Sequence, residues 1–425
     1  MENKKSTGLR KIRMTKIQKI ILISIIIYSL TLVFHALYVS YIDPSYQVII
    51  ADQVVFYNRG KGVLYGLLPY RDFYTKAAPL SSYLWAPLIL ISMIFTNDYS
   101  PDLLTSASYT DSASMMFSSY VFRAFFVICL IAAAVVLYKL LELKKNKHSF
   151  WISLTFAINP FFLYLVSFWG SDESILPLLI LLPIYLFEKK KSYLATIIII
   201  LGAGLKYVPI FLAPLIWIYS ENWKQRIIQS VILLLGIVAV YLPFYFVDPA
   251  QFLAQFDNKI GHSGNQGIIT IIQANSAFNI DSYSYVFSIV TLLLFASFGL
   301  FFFLNREKWN YQRTIILFTV FLIFYPKIQF SFIVLLFPFL FILVFQKKRI
   351  RWVSMITIVS GMIVGEMANI LIKQTITNIY LIVFAWFIVI VFYLSAISLI
   401  PLSMLDNDPT NTTVGNAERK EHNSI

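Results

Sequence analysis

Runs of apolar residues long enough to cross a bilayer recur along this chain, separated by short polar connections, and no other feature restricts its fold so strongly. A membrane-spanning helix takes about 20 predominantly apolar residues, and the stretch from Ile20 to Ile42 is the first to supply them. Inside hydrocarbon every backbone N–H and C=O must find a partner within the protein, so only helices and closed barrels cross. Barrel strands alternate apolar and polar positions, whereas these runs are continuous. Only 13% of the 425 residues are charged and 59% are hydrophobic, with a mean hydropathy of +0.74. Soluble domains carry about 25% charged residues. The runs leave no room for a separate soluble domain, and the expected fold is an all-α polytopic membrane protein.

The net charge of +13 does not point to nucleic acid, because the basic residues stand in short clusters beside the apolar runs. Such clusters mark cytoplasmic segments. Lys4, Lys5, Arg10, Lys11, Arg13, Lys16 and Lys19 precede the first run, which assigns residues 1–19 to a basic cytoplasmic N-terminus. The run that follows is too long for the apolar core of a signal peptide and lacks a small-residue cleavage site. Basic clusters at 144–147, 188–191, 221–226, 305–313 and 347–351 are likewise expected inside. The intervening segments 170–174, 204–209, 248–281, 325–330 and 373–378 then face outward, and they carry little positive charge.

This alternation requires Tyr193 to Ser220 and Thr314 to Gln346 each to break into two short helices, at Lys206 and Lys327. Pro209 and Pro326 fit such breaks, since proline removes a helix hydrogen bond. A single long tilted helix is the alternative at each place. Ala78 to Phe95 begins outside and is followed by an acidic stretch, 97–116, without Lys or Arg. It reads as a re-entrant or interfacial element, or as a short span. About twelve transmembrane helices result, with each of the two broken runs counted as two. They occupy residues 20–403, with a polar, disordered cytoplasmic tail over 404–425 and the whole protein in the cell membrane. Two long hydrophilic loops, 43–77 and 248–284, are both external, so function is expected on the extracytoplasmic side.

The first of these loops holds the densest chemistry. Acids, bases and aromatics are packed between two apolar segments over Ala51 to Leu90. Asp52 and Asp43 are candidates for a general base that deprotonates an attacking hydroxyl, or for holding a divalent cation. The bland alternative for each is a solvated loop aspartate. The single cysteine, Cys129, lies in an apolar run and reads as packing.

From Gly66 onward the sequence GLLPYRDFYTKAAPLSSYL resembles the first external loop of the GT-C glycosyltransferases, integral-membrane enzymes that use polyprenyl-phosphate sugars. In the branch related to protein mannosyltransferases and lipid A aminoarabinose transferases, an acidic pair precedes G-x-x-P-Y-x-D and a later P-L. Asp52 matches the first acid, and Gly66, Pro69, Tyr70, Asp72, Pro79 and Leu80 match the rest. Gln53 stands where the second acid would be, which leaves a single-base mechanism but removes one ligand of a two-carboxylate metal site.

Other segments are similar to the mannosyltransferases of GPI-anchor assembly and their prokaryotic relatives. Asp43-Pro44-Ser45-Tyr46-Gln47 resembles their D-x-D-Y-Q, with Ser45 replacing an aspartate. NPFFLYLVSFWGSDES, GLKYVPIFLAPL and PKIQFSFIVLLFPF follow in matching order, so that the resemblance covers residues 38–340. It implies a GT-C-like helical bundle and an inverting hexosyl transfer from a polyprenyl (dolichyl) phosphate donor, with mannose the sugar. The acceptor would be a lipid-linked glycan, a lipid or a protein. Asp52 and Asp43 are the implied catalytic residues. Arg71, Lys76, Lys206 and Lys327 would hold the donor phosphate, and Tyr70, Asp72, Asp172, Glu173, Gln266 and Gln329 would contact sugar, phosphate or acceptor. A divalent cation, Mg²⁺ or Mn²⁺, is the one cofactor considered.

Several features have simpler readings. Ser171 and Asp172 can cap a helix N-terminus, His35 and His262 need no role, and Gly361 with Gly365 forms a close-packing GxxxG. Glu366 within a span is a functional acid by default or a partner of a neighbouring helix. No P-loop, zinc motif or nucleotide fingerprint occurs, which argues against a nucleotide-sugar donor. The alternatives are a lipid-linked sugar transporter or flippase, a polysaccharide ligase or polymerase, and a non-catalytic assembly subunit.

Overall fold

The computed structural model describes residues 14–42, 51–73, 75, 77–100, 113–260, 267–276, 283–304, 311–325, 329–345, 348–373 and 378–405. Among them every regular element is a helix, apart from one isolated bridge between Pro69 and Phe73. The N-terminal half contains α1 (Lys16–Leu37), α2 (Ala51–Leu64), α3 (Ser81–Thr96), α4 (Ala113–Leu143), α5 (Ser149–Ala157), α6 (Pro160–Leu163), α7 (Leu176–Glu188) and α8 (Ser192–Leu205). It is followed by α9 (Ala213–Tyr219), α10 (Trp223–Val247), α11 (Pro249–Ile260), α12 (Ile268–Ala274), α13 (Ser284–Leu304), α14 (Tyr311–Phe324), α15 (Phe337–Val344), α16 (Lys348–Lys373) and α17 (Ile379–Leu405).

Among the described residues six segments are long and apolar enough to cross a membrane: Lys16–Ile42, Ser114–Leu143, Ser149–Trp169, Trp223–Val247, Arg349–Lys373 and Ile379–Ile400. The sequence anticipates about twelve crossings, two of the apolar runs being split into pairs of helices shorter than the usual ~20 residues. The remaining apolar segments come in shorter pieces, among them Ser192–Leu205 with Val208–Tyr219, and Arg313–Phe324 with α15. Both expected breaks are present. The first falls at Lys206, whose backbone is extended (φ −145°, ψ 136°) between α8 and the 3-10 turn Val208–Leu212. At the second, α14 ends at Phe324 and a 3-10 turn, Phe330–Leu335, leads into α15.

Both loops read as hydrophilic contain helix: α2 lies in the first, and α11 with α12 in the second. Their average polarity conceals helical phase. Gln53, Phe56, Tyr57, Gly60 and Lys61 are buried along one side of α2, at the spacing by which a helix presents one face. The Phe56 ring stacks on Trp85 of α3 at 4.5 Å. Gly60 permits this approach, because a Cβ there would stand 2.8 Å from the Trp85 carbonyl carbon. Likewise the stretch read as an acidic loop after α3 ends at Ala113, where α4 begins.

The loop after α2 is tied to the break in α8. The Leu80 N–H donates to the Gly204 carbonyl at 2.7 Å. The Tyr70 and Tyr207 hydroxyls both donate to the Ala77 carbonyl, at 2.8 and 3.2 Å. In the C-terminal part, a Cβ on Gly361 would collide with Ile333 and crowd Phe392 of α17, which accounts for the small residue in the GxxxG. Glu366 is exposed on α16, and Cys129 is buried.

Candidate functional site

Asp52 and Arg59 lie seven residues apart on α2, two helical turns, which places them above one another on a face distinct from the one packed on α3. Asp52 is exposed, yet enough protein surrounds it that burial raises its pKa, and repulsion from Glu173 adds to the rise. The fields of Lys206 and Arg59 oppose that rise without cancelling it. Asp52 forms no hydrogen bond or ion pair with a described residue.

Arg59 is partly buried, and its Nε is a buried donor without a hydrogen-bond acceptor. Burial draws its pKa down, while Asp172, Tyr70, Asp52 and Tyr207, in that order, pull it back up. These are the groups its charge feels. None of the described carboxylates forms an ion pair with it.

Asp172 and Glu173 begin a short 3-10 turn, Asp172–Ile175, that follows Gly170. Ser171 makes no side-chain cap there, so helix capping does not explain the acids. They reach across to the broken end of α8, where the Lys206 Nζ donates to Asp172 Oδ1 at 2.6 Å and to Glu173 Oε1 at 3.2 Å. Ser171 Oγ donates to the other Glu173 oxygen. Burial pushes the Asp172 pKa up. For Glu173 burial also acts upward, but Lys206 and Ser171 outweigh it and the pKa falls below the ordinary glutamate value. On Lys206 the two carboxylates overcome desolvation and raise the pKa. The ammonium is therefore held charged between two acids.

Beneath this cluster lies a polar knot. Arg123 of α4 is fully buried and donates from Nε to the Ser167 carbonyl at 3.0 Å and from its terminal nitrogens to Phe168 O at 3.2 Å and Gln53 Oε1 at 3.4 Å. Gln53 also accepts from Ser119 Oγ at 2.8 Å and donates to the Gly170 carbonyl at 3.3 Å. Gly170 adopts φ +68°, and any Cβ on it would strike the Gln53 amide. An amide both donates and accepts, so the residue standing in place of a second acid serves as the link between α2, α4 and the Gly170 turn.

The other expected site residues are distributed differently. Arg71 and Asp72 form a bidentate pair with each other, both distances 2.9 Å, and Asp72 also accepts from the Leu68 N–H at 2.8 Å. The Arg71 hydrogen bond, followed by that backbone bond, holds the Asp72 pKa down at about 2. Tyr70 is buried at φ 72° with its ring against Phe244 and Phe252. Gln329 is exposed before the 3-10 turn at 330–335. Asp43, Lys76, His262, Gln266 and Lys327 lie outside the described residues, as does the tail from 406.

The structure thus brings together Asp52, Asp172, Glu173 and Lys206 from the expected set, and adds Arg59 and the Gln53–Arg123 link, which the sequence reading did not assign. The signal for Arg59 was its helical phase with Asp52. Among the described residues no group of three or more His, Cys, Asp or Glu is arranged to hold a metal ion. Two of the three clustered carboxylates are engaged by Lys206, so the cluster does not fit a divalent site. The described residues define an all-helical protein with six helices of bilayer-spanning length and apolarity. No model of a known protein family matches the chain, and no curated protein matches it.

Proposed function

We propose that this chain is a membrane glycosyltransferase of GT-C type, transferring a hexose, by resemblance mannose, from a polyprenyl phosphate donor to a hydroxyl of a glycan, lipid or protein acceptor on the extracytoplasmic face. The observation that carries this reading is the state of Asp52. It is a carboxylate with a raised pKa and no hydrogen-bond or ion-pair partner among the described residues, at the rim of a polar cluster in an otherwise apolar helical protein. A general base is most effective when its pKa is moved toward the working pH.

In the reaction, the acceptor oxygen attacks C1 of the sugar while Asp52 takes its proton. The new C1–O bond forms as the bond from C1 to the phosphate oxygen breaks, and the electron pair leaves with polyprenyl phosphate. One displacement inverts the anomeric centre. The Lys206 cluster serves this arrangement by fixing the Gly170 turn against the break in α8. Lys206 itself, bonded to two carboxylates, is structural in this reading.

The test is sugar transfer by the purified protein in lipid, supplied with synthetic polyprenyl-phosphate mannose or glucose. Transfer to an added acceptor with inverted configuration supports the proposal. Donor translocation across proteoliposomes without transfer would replace it with a flippase, and use of only diphosphate-linked donors would replace it with a ligase or polymerase.

A further inference from the structure

We infer that Arg59 is the receptor for a lipid-linked phosphate, a role that rests on the glycosyltransferase reading for its chemistry but on the structure for its location. The cations around the cluster differ in what they already hold. Lys206 bonds two carboxylates, and Arg71 is paired with Asp72. Lys61 is buried and lies 5.3 Å over the Tyr57 ring. Arg123 is enclosed by carbonyl oxygens and Gln53. Arg59 alone of these keeps a buried nitrogen donor without an acceptor and has no described carboxylate paired to it. A buried donor left unmatched costs free energy, and a planar guanidinium matches phosphate through paired N–H donors.

Position supports the same ligand. Arg59 stands on the face of α2 that carries Asp52, so a phosphate on the guanidinium would be held two helical turns from the base. In the transfer described above, a phosphodiester with one negative charge becomes a phosphomonoester with up to two. The added charge develops on the oxygens that Arg59 would face, so its attraction grows toward the transition state, the condition under which binding becomes catalysis. The negative charge of bound phosphate would also hold the Asp52 proton affinity high.

The experiment uses the full-length protein in nanodiscs and measures binding of a synthetic polyprenyl phosphate, the corresponding phosphate-free polyprenol, and inorganic phosphate. Wild type is expected to bind the phosphate lipid at least tenfold more tightly than the alcohol. Arg59→Gln should remove most of that advantage, Arg59→Lys should keep part of it, and Lys144→Gln, a control at a cation paired with Glu188, should keep all of it. Should Arg59→Gln fail to fold, protection of Arg59 from phenylglyoxal by the phosphate lipid in wild type gives the same answer. Equal affinities for wild type and Arg59→Gln, or no protection, would overturn the inference. Inorganic phosphate binding as tightly as the lipid would overturn the lipid-linked source. Arg59-dependent binding without sugar transfer would sink the glycosyltransferase reading alone, whereas transfer with unaltered binding in Arg59→Gln would sink this one alone.

Discussion

Lys206 and Arg59 are both cations in one polar cluster, but among the described residues Lys206 has closed around two carboxylates and Arg59 around none. Their acids divide the same way. Asp172 and Glu173 are held by Lys206, while Asp52, close enough to feel all of them, is bonded to no described residue. The closed set joins segments remote in sequence and behaves as architecture. The open set sits on one short helix whose adjacent face is locked by Trp85 and by the bonds of Gln53. Rigid backing behind uncompensated charge is how a site is held ready for a ligand, since stability is given up locally and restored by the surrounding packing.

The comparison is broken most directly at Asp52. Asp52→Asn should reduce sugar transfer by about a hundredfold to ten-thousandfold, the usual worth of a general base, with the melting temperature unchanged. Lys206→Met should do the reverse in kind, leaving the buried Glu173 and the half-buried Asp172 without their cation at a cost on the order of 3–5 kcal/mol. Thermal unfolding in detergent would register it. Combining Lys206→Met with Asp172→Asn and Glu173→Gln should recover much of the loss. If Lys206→Met is as stable as wild type, the closed set is not architecture.

A smaller effect is expected behind the open set. Gly60→Val places side-chain atoms against the Trp85 backbone, and overpacking of this kind costs about 1–3 kcal/mol. Transfer should fall with it, because α2 must shift to relieve the contact. The pH dependence sharpens the contrast further. As the proposed base Asp52 would work only when deprotonated, and its pKa is raised, so transfer should fall as pH drops through a value above that of an ordinary aspartate. Glu173→Gln removes a charge that raises this pKa and should move the acidic limb of the rate profile to lower pH. Smallest of all, Asp72→Asn removes an exposed pairing with Arg71 and should leave the unfolding temperature unchanged.

Which parts of this were legible in the sequence follows from the range of each interaction. Helical class came from apolar runs, a local property. The break at Lys206 was legible because a lysine interrupts an apolar run three residues before Pro209. Its partners were not, since Asp172 and Glu173 lie 34 and 33 residues away and meet it only through the fold. Helix α2 was hidden by averaging, as a stretch with mixed polarity reads as loop until phase separates the buried residues Phe56, Tyr57 and Gly60 from Asp52 and Arg59. Gln53 shows the opposite difficulty. By resemblance it was a missing acid, whereas in three dimensions its amide meets Ser119, Arg123 and Gly170 with both its donor and its acceptor.

Whether Asp52 is the base of a donor-binding site is decided by measuring donor affinity and single-turnover sugar transfer together for wild type and Asp52→Asn in the same lipid. Transfer should be lowered at least about a hundredfold with donor affinity changed by less than a few fold, since the base acts on the acceptor proton. Transfer unaffected by the substitution would contradict that role.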